Sequence, residues 1–417
     1  MIYRISKSPK ELIGEITLPS SKSENNRALI IQALSLNKFS IANMSESDDS
    51  KILLNLLSNA DLESSFDVGH SGTAMRFLTA FFALKKGKRI LNGSERMQER
   101  PIKLLVEALR KLGAKIQYLK QEGYPPIEIE GGNLNSIDIE IDGSMSSQYL
   151  SALALIAPML PDGLKLKLKG EVISRPYLIM TLQMMERFGI QYSLKNSLLE
   201  IQAQSYNSST ILEYAIEGDW SAASYWYELS AFTKVVDLQI NGLHKNSLQG
   251  DSAVEAYYEA LGVVTTYNSK GIHLSKKEQE RPLDKIHTDL SNTPDLAQTL
   301  AVTYAAKEMY AELYGLKTLR IKETDRIKAL INELKKIGVI ATDLDSGNLL
   351  IPKKKSRIHT PLSFFETYSD HRMAMCLAPL SMIFDKVEIA NPMVVTKSYP
   401  GFWTDLRKLG FGIEELN

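Results

Sequence analysis

The sequence predicts a mixed α/β protein of two domains, each built from three copies of one structural unit. Three observations predict it: the chain length with its apolar content, a glycine that recurs at the ends of short helices, and a polar residue that recurs at the starts of long helices. A chain of 417 residues with 44% hydrophobic residues can bury more than one core, and its length favours two or three domains.

Short amphipathic helices that end in glycine recur about every 75 residues along the chain. Glycine stands just after each helix, where a left-handed cap is favoured. The helices, each written with its closing glycine, are Leu104–Gly113, Leu182–Gly189, Val254–Gly262, Leu330–Gly338 and Phe402–Gly410. Asn59, after Leu53–Ser58, is the candidate sixth copy, because asparagine is the other residue common at this cap.

Long helices rich in alanine, leucine and methionine each open on a polar residue. These residues are Ser23, Ser71, Ser146, Ser221, Asp295 and Asp370. Segments that alternate between apolar and polar residues, such as Ile127–Glu130 and Val236–Ile240, lie between the helices and predict strands. Each unit is therefore strand, helix, strand, helix and β-hairpin. The interval after Ser23 is the short one, and Asp61–Val68 leaves little room for a hairpin, so one unit is expected to be trimmed.

Composition excludes several classes of protein. A single cysteine, Cys376, excludes an internal disulfide and any multi-cysteine metal site, and it favours a reducing compartment such as the cytoplasm. Acidic and basic residues balance at 49 each, so the chain has no basic surplus for nonspecific nucleic-acid binding. No apolar stretch is long enough to span a membrane. Any anion must therefore be held by a local cluster of cations.

The starts of the long helices are candidates for that cluster. A helix N-terminus presents free N–H groups and a partial positive charge, which suits phosphate and carboxylate. The alternative for each polar residue is a simple N-cap. Cations that recur at similar places in the units favour anion binding: Lys22, Arg27, Arg76, Arg100, Arg175, Lys322, Arg326, Arg372 and Lys397.

Nine segments of this sequence carry a resemblance to a known family. They are residues 19–27, 71–76, 96–101, 143–148, 174–177, 246–251, 320–326, 370–375 and 397–400. With them the chain resembles the 5-enolpyruvylshikimate-3-phosphate synthases over nearly its full length. The resemblance implies two domains of three inverse βαβαββ units with the active site in a cleft between them. The domains would be residues 21–217, and residues 1–20 with 218–417, with crossovers near 20 and 217.

The family's reaction is the transfer of the enolpyruvyl group of phosphoenolpyruvate to the 5-hydroxyl of shikimate 3-phosphate, with release of phosphate, in aromatic amino acid biosynthesis. It proceeds by addition and elimination through a tetrahedral intermediate. The resemblance implies that shikimate 3-phosphate contacts Lys22, Ser23, Arg27, Ser146, Ser147, Gln148, Ser174, Tyr177, Asp295 and Lys322. It implies that phosphoenolpyruvate contacts Lys22, Gly72, Arg100, Gln148, Arg326, Arg372 and Lys397, with the two arginines Arg326 and Arg372 on its carboxylate.

Three residues are candidates for moving protons. Asp295 is the candidate base for the sugar hydroxyl, and Glu323 and Lys22 are candidates for protonating C3 of phosphoenolpyruvate. The alternative for Asp295 is an N-cap, and for Glu323 an ion pair with a neighbouring arginine. The chain departs from the family pattern at His70, where asparagine is usual, and at Phe77, where proline is usual.

Three further functions remain possible from the sequence. The sister enzyme that transfers enolpyruvyl to UDP-N-acetylglucosamine uses a loop cysteine, whereas Cys376 is predicted to lie within a helix as a core residue. The second is a non-catalytic phosphate-binding scaffold, and the third is a nucleic-acid end-processing enzyme. No nucleotide loop or zinc motif is present, so no cofactor or metal is expected. We expect a monomer that binds neither nucleic acid nor membrane, and whose domains close when the first substrate binds.

Overall fold

The computed structural model describes residues 1–143, 146–170, 172–207, 211–277, 285–344, 347–353 and 358–416. Residues 144 and 145 of the segment 143–148 lie outside this part of the chain. The chain divides into two compact units. The inserted unit is Ser21–Ile216, and the split unit joins Met1–Ser20 to Glu217–Asn417. Within the described ranges, no helix is both long enough and apolar enough to cross a bilayer.

The described residues form helices of four to thirteen residues. In chain order they are α1 Lys22–Leu34, α2 Asp48–Ser58, α3 Gly72–Leu84, α4 Glu95–Gln98, α5 Lys103–Lys111, α6 Ser147–Ile156, α7 Arg175–Arg187, α8 Trp220–Ala231, α9 Val254–Glu259, α10 Ala297–Ala306, α11 Arg326–Lys335, α12 His371–Leu377 and α13 Phe402–Lys408. Single 3-10 turns span Ala157–Met159, Gly250–Ala253, Pro294–Leu296, Lys317–Ile321, Ala378–Met382 and Pro392–Lys397.

The strands are short and form several small sheets. They are β1 Ile2–Lys7, β2 Leu12–Thr17, β3 Ser40–Ala42, β4 Ser65–Asp67, β5 Gly87–Asn92, β6 Lys115–Tyr118, β7 Ile127–Gly131, β8 Asp138–Asp142, β9 Leu164–Lys169, β10 Tyr192–Lys195, β11 Leu198–Ile201, β12 Glu213–Ala215, β13 Val236–Asn241, β14 Val263–Tyr267, β15 Gly271–Lys276, β16 Lys285–Asp289, β17 Tyr310–Tyr314, β18 Thr342–Asp343, β19 Leu349–Ile351, β20 Val387–Ala390 and β21 Phe411–Leu416.

The inserted unit places three sheets around three mutually packed helices. Two sheets have four strands, in the orders β4-β5-β7-β6 and β10-β11-β9-β8, with one parallel and two antiparallel pairings each. The third has only the parallel pair β3 and β12 among the described residues. Among the described residues this sheet has no hairpin strands, in contrast to the other two sheets of the unit. Helices α1, α3 and α6 contact one another, and α3 buries nearly every residue, as expected of a central helix.

The split unit repeats the same plan. Its four-stranded sheets are β14-β15-β13-β2 and β16-β17-β19-β18, and its third sheet has the order β20-β1-β21. A parallel bridge between Phe365 and Ile389 extends this third sheet by one residue pair. Helices α8, α10 and α12 contact one another, and their apolar residues form one buried core with the inner faces of the sheets. Three units in each half of the chain agree with the repeat seen in the sequence.

The recurring glycines have the predicted backbone conformation. The five closing glycines have φ values between +79° and +105°, the left-handed region in which a Cβ is disfavoured. Asn59 follows α2 as expected but has a φ of −102°, so the left-handed cap predicted there is wrong. Its side-chain amide instead donates to the backbone oxygen of Asn55 at 3.0 Å.

Two of the predicted helix starts are misplaced by two residues. Ser21, not Ser23, accepts from a backbone N–H at the start of α1, and Asp219, not Ser221, caps α8. The caps predicted at Ser71, Ser146 and Asp370 are correct. In each misplaced case two polar residues compete for the position, and local sequence does not decide which has the extended conformation of an N-cap.

Candidate active site

Arg326, the first residue of α11, lies at the centre of a cluster of charged side chains in the split unit. Its Nε is 2.7 Å from Asp370 Oδ2, its Nη1 is 3.0 Å from Asp295 Oδ1, and its Nη2 is 2.9 Å from Glu323 Oε2. The side chain is only 2% exposed. Burial by itself would lower the pKa of Arg326, but the carboxylates of Asp370, Glu323 and Asp295 raise it above its ordinary value.

Asp295 is surrounded by cations. Besides Arg326, the Nη2 of Arg372 lies 3.1 Å from Asp295 Oδ2, and the Nζ of Lys322 lies 3.7 Å from Oδ1. Arg372 also donates through Nη1 to the backbone oxygen of Asp295 at 3.2 Å. Burial alone would raise the pKa of Asp295, but Arg372, Lys322 and Arg326 outweigh it and hold the pKa well below its usual range. The carboxylate is therefore ionised at neutral pH.

The N-cap alternative for Asp295 is wrong. The residue lies inside the 3-10 turn Pro294–Leu296, and the cap positions there belong to Thr293 and Leu296. Its carboxylate contacts cations from later segments of the chain instead. The ion-pair alternative for Glu323 is correct as geometry, because Oε2 contacts Arg326 and Oε1 accepts from Lys397 Nζ at 2.8 Å. That pairing also places Glu323 beside a predicted phosphate-binding lysine.

Arg372 connects this cluster to a second buried carboxylate. Its Nη2 lies 3.3 Å from the Oγ of Ser221, and that hydroxyl donates to Oδ2 of Asp251. Burial, followed by the charge of Asp295, raises the pKa of Asp251 to about 6, against the opposing effect of Arg372. Asp251 was not among the predicted site residues. Its place in the segment 246–251 was the one signal that could have found it.

Lys22 opens α1 in the inserted unit. Its Nζ lies 3.0 Å from Oδ2 of Asp49, and both side chains are largely buried. Asp49 lies in the first turn of α2 and was not predicted as a site residue. The acidic pair Asp48 and Asp49 at a helix start was the only local signal, and acidic residues are common there for reasons of helix stability alone.

Arg27 is buried among groups of the inserted unit. Its Nε donates to Thr181 Oγ1 at 2.6 Å, Nη1 to the backbone oxygen of Ser23 at 2.7 Å, and Nη2 to that of Tyr177 at 3.2 Å. It is 2% exposed, and burial lowers its pKa to about 10, so it remains charged near neutral pH. These contacts tie α1 to α7. The predicted contact of Arg27 with shikimate 3-phosphate stays a prediction.

Gly72 and Arg100 lie against each other. Gly72 is the first residue of α3, and a Cβ built on it would lie 2.8 Å from Nη1 and 2.9 Å from Nη2 of Arg100. Only glycine leaves room for the guanidinium at this helix start. Arg76, one turn later, donates to the backbone oxygens of Gly72 at 3.2 Å and of Pro101 at 3.1 Å, which joins α3 to the segment after Arg100.

The two departures from the family pattern lie beside these groups. His70 is exposed, and its Nδ1 is 2.9 Å from the Oγ of Ser94, the N-cap of α4. Phe77 is buried, and its ring lies 5.5 Å from the guanidinium carbon of Arg27, within the range of a cation–π contact. The phenyl ring thus packs on the arginine that joins α1 to α7.

The predicted hydroxyl and amide contacts lie at two helix starts. Ser146 caps α6 by accepting from the backbone N–H of Gln148 at 3.3 Å, and Ser147 is the first residue of that helix. Ser174 precedes α7 with a left-handed φ of 58°, and Tyr177 is in its first turn. The backbone oxygen of Tyr177 accepts from Arg27, as described above.

The predicted residues therefore fall into defined groups. In the split unit Asp295, Lys322, Glu323, Arg326, Arg372 and Lys397 form one continuous network. In the inserted unit, contacts join Lys22 to Asp49, Gly72 to Arg100, and Arg27 to Ser23 and Tyr177. Among the described residues, no group of three or more histidine, cysteine, aspartate or glutamate side chains could hold a metal ion.

Cys376 lies in α12 and is fully buried. Its Sγ is 3.5 Å from the backbone oxygen of Met373, one turn earlier. Burial raises the pKa of the thiol well above its usual value, and the charges of Glu228 and Asp370 act in the same direction. This is the core position expected from the sequence, and a thiol whose pKa is raised by burial is the opposite of an activated cysteine.

Comparison with known proteins identifies the family. A family model described as EPSP synthase (3-phosphoshikimate 1-carboxyvinyltransferase) matches residues 58–406. A 3-phosphoshikimate 1-carboxyvinyltransferase of Bacteroides fragilis is 43% identical over 415 residues, which cover 99% of each chain. The protein with that name from Actinobacillus pleuropneumoniae is 35% identical and covers 95% of this chain and 96% of its own.

Solved structures agree on the fold. EPSP synthase from Acinetobacter baumannii superposes with a TM-score of 0.78 at 21% identity, covering 99% of this chain and 100% of that one. An enolpyruvyl transferase from Streptomyces tendae gives 0.72 at 14% identity, covering 99% and 98%. The matches confirm the two-domain α/β fold and the enolpyruvyl transfer of the shikimate pathway that the sequence motifs predicted. This chain belongs to the family of the EPSP synthases, the 3-phosphoshikimate 1-carboxyvinyltransferases.

Proposed function

We propose that this chain transfers the enolpyruvyl group of phosphoenolpyruvate to the 5-hydroxyl of shikimate 3-phosphate and releases phosphate. The observation that carries the proposal is the network around Arg326, in which two carboxylates able to move protons, Asp295 and Glu323, share that arginine. The hydroxyl oxygen bonds to C2 while C3 takes up a proton, and a tetrahedral intermediate results. Loss of phosphate and of one C3 proton then restores the double bond.

The arginines supply the binding site for the substrate carboxylate. Arg326 and Arg372 both contact Asp295 through terminal guanidinium nitrogens, 3.0 and 3.1 Å away. A planar carboxylate can replace part of those contacts with paired hydrogen bonds, which a lysine could not offer. We therefore assign the carboxylate of phosphoenolpyruvate to Arg326 and Arg372. Lys397, 2.8 Å from Glu323, is assigned to its phosphate.

Binding of that anion changes the proton affinity of Asp295. Three cations, Arg372, Lys322 and Arg326, hold its pKa low, which makes it a weak base. When phosphoenolpyruvate shares Arg326 and Arg372, the cations stabilise the ionised form of Asp295 less, so its pKa rises. Asp295 then becomes a better acceptor for the proton of the 5-hydroxyl. This change occurs only while phosphoenolpyruvate is bound.

Glu323, in the same network, is a candidate proton donor to C3 of phosphoenolpyruvate. Its two oxygens contact Arg326 and Lys397, so it lies beside both proposed anion positions. Lys22, in the inserted unit, is the other candidate. The substrate contacts predicted for Lys22, Ser23, Arg27, Gly72, Arg100, Ser146, Ser147, Gln148, Ser174 and Tyr177 stay predictions, as do the cleft between the domains and its closure. A cytoplasmic monomer without nucleic-acid or membrane partners also remains part of the proposal.

The test is phosphate release from phosphoenolpyruvate with shikimate 3-phosphate as acceptor, run in parallel with UDP-N-acetylglucosamine. We expect release only with shikimate 3-phosphate, together with a new vinyl ether signal in the proton NMR spectrum. Release only with the nucleotide sugar would overturn the proposal. The fully buried Cys376 argues against that outcome, because the sister enzyme relies on an accessible cysteine.

A further inference from the structure

Glu333 is a fully buried carboxylate on α11, the helix that begins at Arg326. Its Oε1 accepts from the hydroxyl of Tyr368 at 2.7 Å, and its Oε2 accepts from the backbone N–H of Glu366 at 2.9 Å. The Nζ of Lys336 lies 2.7 Å from Oε2. An ionised group without solvent is costly unless it is saturated with donors, and these three contacts meet that need.

Two of the three donors, Tyr368 and Glu366, belong to a strained turn that leads into the charged cluster. Tyr368 and Ser369 are consecutive non-glycine residues in the left-handed region, with φ values of 53° and 55°. Such residues persist only where the surrounding structure holds them, and they are concentrated near functional sites. The next residue is Asp370. Its position therefore depends on what holds the turn.

The turn is held from two sides within the split unit. On one side α11 contributes Glu333, and Lys336 just after that helix donates through Nζ to the backbone oxygen of Phe364 at 2.8 Å. On the other side the backbone N–H of Phe365 donates to the backbone oxygen of Glu388 in β20 at 2.7 Å. Within the strained pair Tyr368 and Ser369, the hydroxyl of Tyr368 forms a direct side-chain hydrogen bond to α11, through Glu333.

Asp370 transmits the position of the turn to two arginines. Its carboxylate contacts Arg326 Nε at 2.7 Å, and it accepts from the backbone N–H of Arg372 at 2.9 Å as the N-cap of α12. We infer that Glu333 and Tyr368 are positioning residues for the phosphoenolpyruvate carboxylate, acting through the turn and Asp370 on Arg326 and Arg372. The inference rests on the proposed function, which assigns that carboxylate to the two arginines.

Tyr368→Phe tests the inference, because it removes one hydroxyl and keeps the ring. Tyr267→Phe is the matched control: the Tyr267 hydroxyl donates to Glu255 Oε2 at 2.6 Å in the same unit, in a pair that is not part of the network around Arg326. We expect Tyr368→Phe to raise the KM for phosphoenolpyruvate about fivefold, a fraction of what a hydrogen bond to a charged group contributes. The KM for shikimate 3-phosphate should change less than about twofold.

A second variant covers the case in which Tyr368→Phe folds poorly. Glu333→Gln keeps the shape and one acceptor oxygen, and it should raise the same KM selectively. An unchanged KM for phosphoenolpyruvate in both variants, or an equal rise in both KM values together with a lower Tm, overturns the inference in favour of a purely structural role. A wild-type protein that releases no phosphate overturns the proposed function first, and the inference with it, so the two failures are distinguishable.

Discussion

The carboxylate of Asp295 and the guanidinium of Arg326 form a salt bridge of 3.0 Å, although they lie 31 residues apart in the chain. The proposed base and the proposed carboxylate-binding cation thus neutralise each other. A buried pair of this kind is a weak source of stability, because desolvation offsets much of the attraction. The pair matters instead because it couples the binding of a substrate anion by Arg326 to the proton affinity of Asp295.

Asp295→Asn should abolish most turnover while phosphoenolpyruvate still binds. The amide keeps the shape but cannot take the hydroxyl proton, so we expect a loss of about 10²- to 10⁴-fold in kcat. Asp289→Asn is the control, since Asp289 ends β16 in an exposed position and accepts from the backbone N–H of Ser291. Single-turnover phosphate release is measured for both variants. Normal turnover in Asp295→Asn would remove Asp295 from the mechanism.

Arg372→Lys should weaken phosphoenolpyruvate selectively. Lysine keeps the charge but loses the fork that reaches Asp295 and Ser221, so paired hydrogen bonds to a carboxylate are lost. We expect a rise of about 10- to 100-fold in the KM for phosphoenolpyruvate, on the scale of hydrogen bonds to charged groups. Arg407→Lys on α13 is the control, and steady-state kinetics in both substrates are the measurement. Equal effects in the two variants would contradict the assignment of the substrate carboxylate.

Gly72→Ala should displace the guanidinium of Arg100. The new Cβ would lie within 3.0 Å of both terminal nitrogens, and the end of a flexible side chain can move away without unfolding the helix. We expect a rise of about tenfold in the KM for phosphoenolpyruvate, the equivalent of roughly 1.4 kcal/mol, and little change in Tm. Gly132→Ala, where nothing lies within 4 Å of the new atom, is the control. A Tm loss without a kinetic effect would show that Arg100 serves only the fold.

Lys276→Met should stabilise the protein at neutral pH. Burial, with Lys307 acting in the same direction, lowers the pKa of Lys276 to about 8, below the unfolded value of about 10.4. The folded state then binds fewer protons than the unfolded state between about pH 8 and 10, so stability rises with pH in that window and the penalty is full below it. Urea unfolding at pH 7 and 9.5 should show a smaller pH difference in the variant. The exposed neighbour Lys277→Met should leave that difference unchanged.

Cys376→Ala should retain activity within about threefold, since the thiol acts only as a small core group. Its burial and raised pKa also predict that thiol reagents label the folded protein slowly and the urea-unfolded protein quickly. Labelling followed by phosphate-release assays measures both. Rapid labelling with loss of activity would favour the chemistry of the sister enzyme.

The repeat could be predicted because its marks are local. A glycine such as Gly113 or Gly262 is required by its own φ angle, whatever the rest of the chain does. Choices between neighbouring polar residues could not be predicted, as the misplaced caps at Ser23 and Ser221 show, since both candidates in each pair have a suitable side chain.

The residues that form the network around Arg326 were all candidates from the sequence, but their pairings could not be predicted. Asp295, Arg326 and Arg372 come from three separate segments, and their contacts arise only when α10, α11 and α12 pack together. Asp49 and Asp251 were missed for the same reason, because a carboxylate at a helix start or in a 3-10 turn has no local mark of its partner. In sequence Glu333 resembles an ordinary helix residue. Its role becomes visible only through the hydrogen bond that it accepts from the Tyr368 hydroxyl.

Strand β1 lies between β20 and β21, so residues 2–7 pair with strands that are synthesised almost 400 residues later. At the usual rate of translation this interval is roughly 20 to 80 seconds. The inserted unit, whose strands pair only within residues 40–215, can fold during that wait. The chain should therefore emerge from the ribosome with one folded unit and with β1 still lacking both of its partner strands, which makes β1 a segment in need of protection by a chaperone.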